Sequence, residues 1–200
     1  MKILRKSSEN EMLIEFLKAE YDSERFTDQI KQALNSLGFD EKIITLPDLK
    51  NSAENIQRKR LMGKFRGYGL NKELFENFPS VSEYRLCSFS QDDMEKIRYI
   101  DYSYWNELSL GTHSPQTAAE TIRRGIKIYG QDNDDFLQAA EYIKIGGKFP
   151  AMFFLTCDFE LFIIAEGHLR MTAYALAPEY FSDVEAIVGK CSFDELNKWM

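Results

Sequence analysis

Residues 161–176 read LFIIAEGHLRMTAYAL, an apolar run that ends in Glu-Gly-His and is followed at once by good helix formers. This pattern predicts a β-strand, a glycine turn and an α-helix in immediate succession. The first backbone N–H groups of such a helix have no partners inside it and point beyond the end of the strand. The junction is therefore a candidate binding site for an anion.

Four residues of this junction suit an anionic ligand. Gly167 would let a ligand approach the backbone closely. Side-chain donors would come from His168, Arg170 and Thr172. A helix that begins near His168 would keep these donors off its core face. The buried stripe would consist of Leu169, Ala173 and Leu176.

A purely structural interpretation of the same residues stays open. In it, Gly167 forms only the tight turn, Glu166 is an edge carboxylate and Arg170 is a surface ion-pair partner. Short glycine motifs often match by chance, so the spacing alone does not choose between the two interpretations.

The segments around the junction predict a small mixed sheet. Residues 151–156 and 161–165 are apolar runs separated by residues 157–160, a spacing typical of a β-hairpin. Both runs are apolar at alternate and intervening positions alike, so we expect both faces of the hairpin to be covered. Further strands are predicted at 83–89 and 184–188.

Helical patterns occupy most of the remaining chain. Helix starts are predicted at the capping box of residues 8–11, near Phe26, near Ser52, at Ser90, at Ser114-Pro115, after 132–135 and at Ser192. The helix after Ser90 would include Ile97, and the helix after Ser114 would bury Ile126. The fold class is therefore α+β, a small mixed sheet with a β-hairpin flanked by many helices. A single domain would comprise a mostly helical extension, 1–80, and an α+β core, 81–200.

The composition indicates a globular protein and argues against several classes of partner. A chain of 200 residues with 44% hydrophobic content can bury a substantial core. A formal net charge of -7 argues against a protein that coats nucleic acid or anionic membrane, because both need a positive field. The longest apolar run, 151–155, is far too short to span a bilayer.

The cysteine pattern and the first residues predict a cytoplasmic protein. Cys87, Cys157 and Cys191 are far apart and form no CxxC pair, which fits reduced thiols better than a disulfide framework or a zinc site. The first ten residues contain no apolar segment of the kind found in secretory signals.

Basic residues are concentrated in residues 58–72, a segment that contains no acid. Its cationic residues are Arg58, Lys59, Arg60, Lys64, Arg66 and Lys72. A charge run of this kind is usually a solvated helix face. The alternative is a phosphate-facing patch, in which Arg58, Arg60, Lys64 and Arg66 would face the same cleft as His168.

A second polar and aromatic segment precedes the helix that starts at Ser114-Pro115. It offers Trp105 or Tyr104 as a stacking surface for a planar ring, Glu107 as a hydrogen-bond acceptor, and also Thr112 and His113. We expect this segment to recognise the ring of a ligand across one cleft from His168. A Trp–Tyr cluster is also common in protein cores, so a structural role stays open.

Several familiar sites are absent from the sequence. There are only two histidines, with no HExxH spacing, so no metal site is predicted. The glycines from Gly63 to Gly69 follow a predicted helix rather than a strand, which excludes a dinucleotide fingerprint. Neither a Walker A sequence nor a GxSxG elbow is present.

The strand–Glu-Gly-His-x-Arg–helix pattern resembles the phosphate-binding junction of the ParB/sulfiredoxin-like superfamily. The resemblance implies that Gly167, His168 and Arg170 bind nucleotide phosphates. It also implies that Glu166 replaces the acidic residue of the Asp-Gly-His form found in some members.

The chain departs from the members of this superfamily in three ways. His168 stands where sulfiredoxins need a cysteine, which argues against their chemistry. About thirty residues follow the motif, which leaves no room for the DNA-reading helix-turn-helix of the partition proteins. No upstream residue can be matched to the catalytic glutamate of the serine kinases.

These observations predict a cytoplasmic nucleotide- or phosphate-binding protein. A catalytic version would hydrolyse a nucleotide or transfer its phosphoryl group, with His168 and Glu166 as the catalytic residues and Glu166 as base or Mg²⁺ partner. The expected partner is an anionic small molecule of the nucleotide type, with Mg²⁺ as a companion ion and without a membrane. The alternative is a non-catalytic interaction or nucleic-acid-associated module that retains the ParB-like fold.

Overall fold

The computed structural model describes all residues, Met1–Met200, as an α+β protein with one six-stranded mixed sheet. The chain forms two compact units, one made of Met1–Lys6 with Ser80–Met200 and the other of Ser7–Pro79. We call them the sheet unit and the helical unit. None of the helices combines the length and apolar character needed to cross a lipid bilayer.

The sheet lies entirely in the sheet unit. Its strands are β1 (Lys2–Lys6), β2 (Glu83–Phe89), β3 (Ile97–Arg98), β4 (Met152–Thr156), β5 (Phe162–Glu166) and β6 (Val184–Lys190). They are ordered β1-β2-β6-β4-β5-β3. The β3/β5 and β4/β6 pairs are parallel, and the other pairs are antiparallel. The predicted hairpin, now β4 and β5, and the predicted strands β2 and β6 are confirmed.

The helices divide between the two units. The helical unit contains α1 (Glu9–Tyr21), α2 (Thr27–Leu37), α3 (Lys42–Thr45) and α4 (Ser52–Arg66). The sheet unit contains α5 (Ser103–Leu108), α6 (Pro115–Arg123), α7 (Asp134–Lys144), α8 (His168–Leu176) and α9 (Phe193–Leu196). Short 3₁₀ turns occur at Glu73–Phe75, Gln91–Lys96, Ile128–Gly130 and Pro178–Tyr180.

The core of the sheet unit surrounds the β4/β5 hairpin. Every residue of β4 is buried, as are four of the five residues of β5, so the hairpin is covered on both faces as expected. Helix α8, which follows β5 directly, packs against both α6 and α7. Position and burial of α8 are therefore fixed by neighbours on several sides.

Three local predictions are wrong. Residues 2–6, assigned to the helical extension, form β1, which pairs with β2. Ser90 and Asp93 do form a cap, but the segment that follows is a 3₁₀ turn, Gln91–Lys96, rather than a longer helix, and Ile97 begins β3. Helix α6 ends before Gly125, whose φ is 72°, so Ile126 is exposed rather than part of the buried stripe.

Candidate functional site at the start of helix α8

The junction between β5 and α8 lies at the carboxyl end of β5, and the parallel strand β3 ends on the same side of the sheet. Gly167 is the N-cap of α8 with φ 101° and ψ 23°, and His168 is the first helical residue. Because β3 runs parallel to β5, the chain that follows β3, beginning at Tyr99, leaves the sheet at the same end of the strands. The residues that surround the first turn of α8 therefore come from β4, β5 and the segment after β3.

Gly167 is required by the backbone and by packing inside the protein. Its positive φ is one that residues with a side chain rarely adopt. A Cβ at this position would lie 2.6 Å from Cγ of Met152, the first residue of β4. Packing against Met152 and the positive φ therefore account for a glycine here without a ligand, and close approach of a ligand to this backbone stays a prediction.

Arg170 connects two strands rather than facing solvent. Its guanidinium donates to the carbonyl oxygens of Pro150 (2.6 Å) and Ala151 (3.4 Å) just before β4, and it pairs with the Glu166 carboxylate at the end of β5. Arg170 is only 6% exposed. Its charge is therefore compensated inside the protein, and Glu166 is an ion-pair partner rather than an unengaged base.

Thr172 is fully buried and takes part in a chain of hydroxyl bonds. Its hydroxyl donates to the His168 carbonyl at 2.7 Å and lies 2.6 Å from the hydroxyl of Tyr99. Leu169, expected in the core, is 36% exposed instead. Of the predicted stripe, Ala173 is buried and Leu176 is half-buried. Arg170 to Ala175 are all buried, so α8 has no single buried stripe, which fits its packing against two helices.

His168 belongs to a group of three nearly parallel rings. Its imidazole lies 4.9 Å from the Trp105 ring and 6.0 Å from the Tyr99 ring, with interplanar angles of 15° in both cases. Tyr99 and Trp105 are 4.8 Å apart at 21°. The three rings therefore form one stacked aromatic group beside the first turn of α8.

The imidazole of His168 is neutral and incompletely hydrogen-bonded. Burial, with a smaller contribution from the Arg170 charge, lowers the pKa of His168 to about 3. Its Nε2 atom is buried and has no hydrogen-bond partner. Buried polar atoms in native proteins nearly always have a partner, so this nitrogen is the least satisfied group of the junction.

Part of the predicted ring-binding segment lies beside the ring group at the first turn of α8. Trp105, on α5, stacks on His168 and also meets Tyr104 and Phe136 edge-on at 5.0 and 6.2 Å. The His113 carbonyl accepts from the Tyr99 N–H at 2.8 Å, and Nδ1 of His113 is buried without a partner. Trp105 thus belongs to the ring group, and the carbonyl of His113 contacts the backbone of Tyr99, another member of the group.

Two other residues of that segment lie at the surface. Glu107 and Thr112 are exposed. The Thr112 hydroxyl donates to the Ser109 carbonyl at 2.7 Å, so it stabilises a turn. Sequence analysis missed Tyr99, because residues 97–98 were assigned to a helix. Recognising β3 as a strand parallel to β5 would have placed Tyr99 beside the junction.

The basic segment of the helical unit has mostly structural contacts. Arg58 is 1% exposed and donates to the carbonyls of Ile43 and Asp48, so its assignment to phosphate binding is corrected. Arg66 pairs with Glu20 at 2.9 Å, which compensates its charge within the same unit. A shared cleft between this segment and His168 stays a prediction.

Two basic residues keep their charges nearer the solvent. Arg60 lies over the ring of Phe39 at 5.3 Å. Lys64 lines a cavity of about 340 Å³ together with Phe65 and residues of α2. These residues of α2 are Gln29, Gln32, Ala33 and Ser36. Lys64, assigned to phosphate binding, thus lines a cavity of the helical unit.

No cluster of three or more His, Cys, Asp or Glu side chains is placed to hold a metal ion. All three cysteines are free thiols, and burial is the main cause that raises the pKa of both Cys87 and Cys191 to about 11. Thiols with such pKa values are protonated at neutral pH and are poor nucleophiles. The junction at α8 is therefore the best candidate site of the sheet unit.

Comparison with known proteins identified no relative of this chain. No family model matches the chain, no curated protein is significantly similar to it, and no solved structure matches it. The resemblance to the ParB/sulfiredoxin-like superfamily consequently rests on the junction motif alone.

Proposed function

We propose that this protein binds a phosphorylated small molecule of the nucleotide class at the first turn of α8. The observation that carries the proposal is the buried Nε2 of His168, which has no partner within the protein. Leaving a buried polar group unpaired costs about 1–3 kcal/mol. A phosphate oxygen would accept a hydrogen bond from this nitrogen and remove that cost.

The backbone of α8 supports the same ligand. This helix has neither a side-chain cap nor an acidic residue in its first turn. The first N–H with a helical acceptor belongs to Met171, which donates to the Gly167 carbonyl at 2.8 Å. The preceding amides, together with roughly half a positive charge from the helix dipole, would bind the anion.

The proposed roles follow from the contacts of each residue. His168 would act as a neutral donor, since its pKa is lowered to about 3. The Trp105 ring, stacked on His168, would contact the ring of the ligand, and the exposed Glu107 on the same helix would accept a hydrogen bond from it. Mg²⁺ would accompany the phosphates from solution. Free thiols fit our placement of the protein in the cytoplasm.

Binding has more support than catalysis. Glu166 is paired with Arg170, so a role as general base would require this buried ion pair to open. The competing function is a non-catalytic interaction module. It is favoured by the internal partners of Gly167, Arg170 and Thr172, which make each of these residues useful to the fold without a ligand.

A thermal-shift screen with ATP, CTP, ADP and pyrophosphate, with and without Mg²⁺, tests the proposal. A ligand present at a hundred times its dissociation constant should stabilise the folded protein by about 2.7 kcal/mol. The matched variant is His168→Phe, which keeps an aromatic ring beside Trp105 but cannot donate a hydrogen bond. We expect the variant to fold and to lose most of the ligand-induced shift.

Two outcomes would count against phosphate binding. The absence of a shift with all four ligands would favour the interaction module. An equal shift in His168→Phe would place the ligand elsewhere. Hydrolysis of ATP or CTP that depends on Glu166, measured with Glu166→Gln, would add catalysis to the proposed function.

A further inference from the structure

Strand β1 forms an open edge of the sheet. It pairs only with β2, and no strand lies on its other side. All five of its residues are exposed, including Ile3 at 47% and Leu4 at 41%. The N–H and C=O groups on the unpaired side of such a strand can bond to another extended chain.

The strand is held in place from the inside. Lys2 and Ile3 pair with Ser88 and Cys87, and a register shift separates these pairs from those of Arg5 and Lys6. The α-amino group of Met1 forms an ion pair with the buried carboxylate of Asp93. The edge is therefore an ordered surface, and a second chain would find its backbone already extended.

The charge of this edge is opposite to that of the whole protein. Lys2, Arg5 and Lys6 are three of the five residues of β1, whereas the chain has a formal net charge of -7. Lys6 also stands opposite Arg85 of β2. A second copy of β1 added antiparallel would bring like charges together, which destabilises a strand pair.

We propose that β1 is the docking edge for an acidic, extended peptide segment of a partner protein, which adds to the sheet as another strand. Backbone hydrogen bonds to β1 would supply affinity, as in other cases of strand addition. The pairing with β2 places Lys2 on one face of the sheet and Ile3 and Lys6 on the other. Carboxylates on one face of the partner strand would therefore face Lys2, and its apolar residues on the other face would cover Ile3, while Lys6 adds to the positive charge of the edge. This inference is independent of the proposed ligand site at α8.

A peptide-binding experiment tests this docking edge on the full 200-residue chain. The probe is a fluorescently labelled peptide of about eight residues in which Glu and Val alternate, a length typical of one strand. The control peptide has the same charge, but proline replaces each valine, so it cannot form a ladder of hydrogen bonds. Fluorescence anisotropy in about 0.1 M salt measures binding, where charges more than about 10 Å apart are screened.

The matched protein variant is the double substitution Lys2→Glu and Lys6→Glu. Both side chains are exposed, so we expect the variant to fold, which circular dichroism verifies. It should bind the Glu-Val peptide at least tenfold more weakly and should instead bind a Lys-Val peptide. In the unmodified chain, the acidic peptide should slow hydrogen exchange of the amides at residues 2–6.

Several results would overturn the proposal. Equal binding of the proline control would show that charge alone causes the contact, without strand addition. No binding of the Glu-Val peptide would exclude an acidic strand as the occupant. Concentration-dependent dimers that exclude the peptide would assign the edge to a second copy of the chain.

Discussion

At the scale of single residues, the junction motif combines structural and unsatisfied groups. Arg170 and Thr172 have hydrogen-bond partners inside the protein, and Gly167 is fixed by its conformation and by Met152. His168 differs because its ring is stacked while its Nε2 has no partner. The residue that most merits a functional test is therefore His168 rather than the more obvious cation Arg170.

The imidazole of His168, half-buried but with its Nε2 atom fully enclosed, should make stability depend on pH. The ordinary pKa of histidine is about 6.5, and in the folded protein that of His168 is lowered to about 3. Between these values the unfolded chain binds more protons, so stability should fall as pH drops below about 6.5. The slope from this residue is at most about 1.4 kcal/mol per pH unit. Above pH 6.5 its contribution is fully present.

Urea unfolding at about pH 7.5 and about pH 5, below the ordinary histidine pKa of about 6.5, measures this effect. His168→Phe keeps the stacked ring but does not titrate, so it should lose less stability between the two pH values than the unmodified chain. Burial raises the pKa of Asp93, but hydrogen bonds from the Met1 α-amine and Ser90 outweigh it, and the net pKa is lowered. The stability that the ionised Asp93 carboxylate contributes is therefore lost only below the two pH values compared. Equal losses in the two proteins would contradict a neutral His168.

At the scale of secondary structure, the sequence was sufficient where a local signal was strong. Ser114 followed by Pro115 marked the start of α6, and the apolar runs marked β4 and β5. Strand β3 has only two residues, which is too short for a periodic pattern. Strand β1 is exposed throughout, so no alternation of buried and exposed residues revealed it.

The orientation of α8 could not be predicted for a different reason. A helix that packs against neighbours on several sides has no single apolar stripe. In α8 even Arg170 and Thr172 are buried, because their polar groups find partners in the segment before β4 and in Tyr99. Those partners are distant in the sequence, so spacing within the motif could not identify them.

The first turn of α8 offers a test at the level of one helix. Leu169 is partly exposed and sits where an acidic side chain favours the helix dipole. Leu169→Asp should therefore leave the unliganded protein as stable as before or more stable by about 0.3–1 kcal/mol. The same negative charge should repel a phosphate and reduce its binding.

Leu169→Asn is the matched neutral control, because it has nearly the same shape without the charge. Thermal unfolding with and without the best ligand of the screen measures both effects. Loss of ligand-induced stabilisation in Leu169→Asp, with retention in Leu169→Asn, would support an anion at the first turn. Equal ligand responses in the two variants would exclude that position.

At the scale of the whole molecule, the chain builds its sheet unit from two separate segments. Residues 1–6 and 80–200 form this unit, and residues 7–79 form the helical unit between them. The boundary between the helical unit and the second segment of the sheet unit falls at Pro79, where the sequence pattern changes. The return of the first residues to the sheet had no local signal, since it depends on pairing with β2 across most of the intervening chain.

The helical unit has the internal contacts expected of a part that folds independently. Arg58 bonds the Ile43 carbonyl at 2.9 Å, and Arg66 pairs with Glu20, all within residues 7–79. The Tyr68 and Phe75 rings meet edge-on at 4.7 Å in the same unit. We therefore predict that a fragment of residues 7–79 is helical by circular dichroism and unfolds cooperatively with temperature.

Substitutions at the neighbouring residues Arg58 and Lys59 distinguish a structural basic residue from a surface one. Arg58→Met would leave carbonyl groups unpaired in the interior and should cost about 3 kcal/mol or more, in the fragment and in the full chain. Lys59→Met removes only a surface ion pair with Glu9 and should cost less than about 1 kcal/mol. Urea unfolding measures both values. If both substitutions cost little stability, Arg58 would again be a candidate for phosphate binding. If the fragment of residues 7–79 is unfolded, the helical unit depends on the rest of the chain.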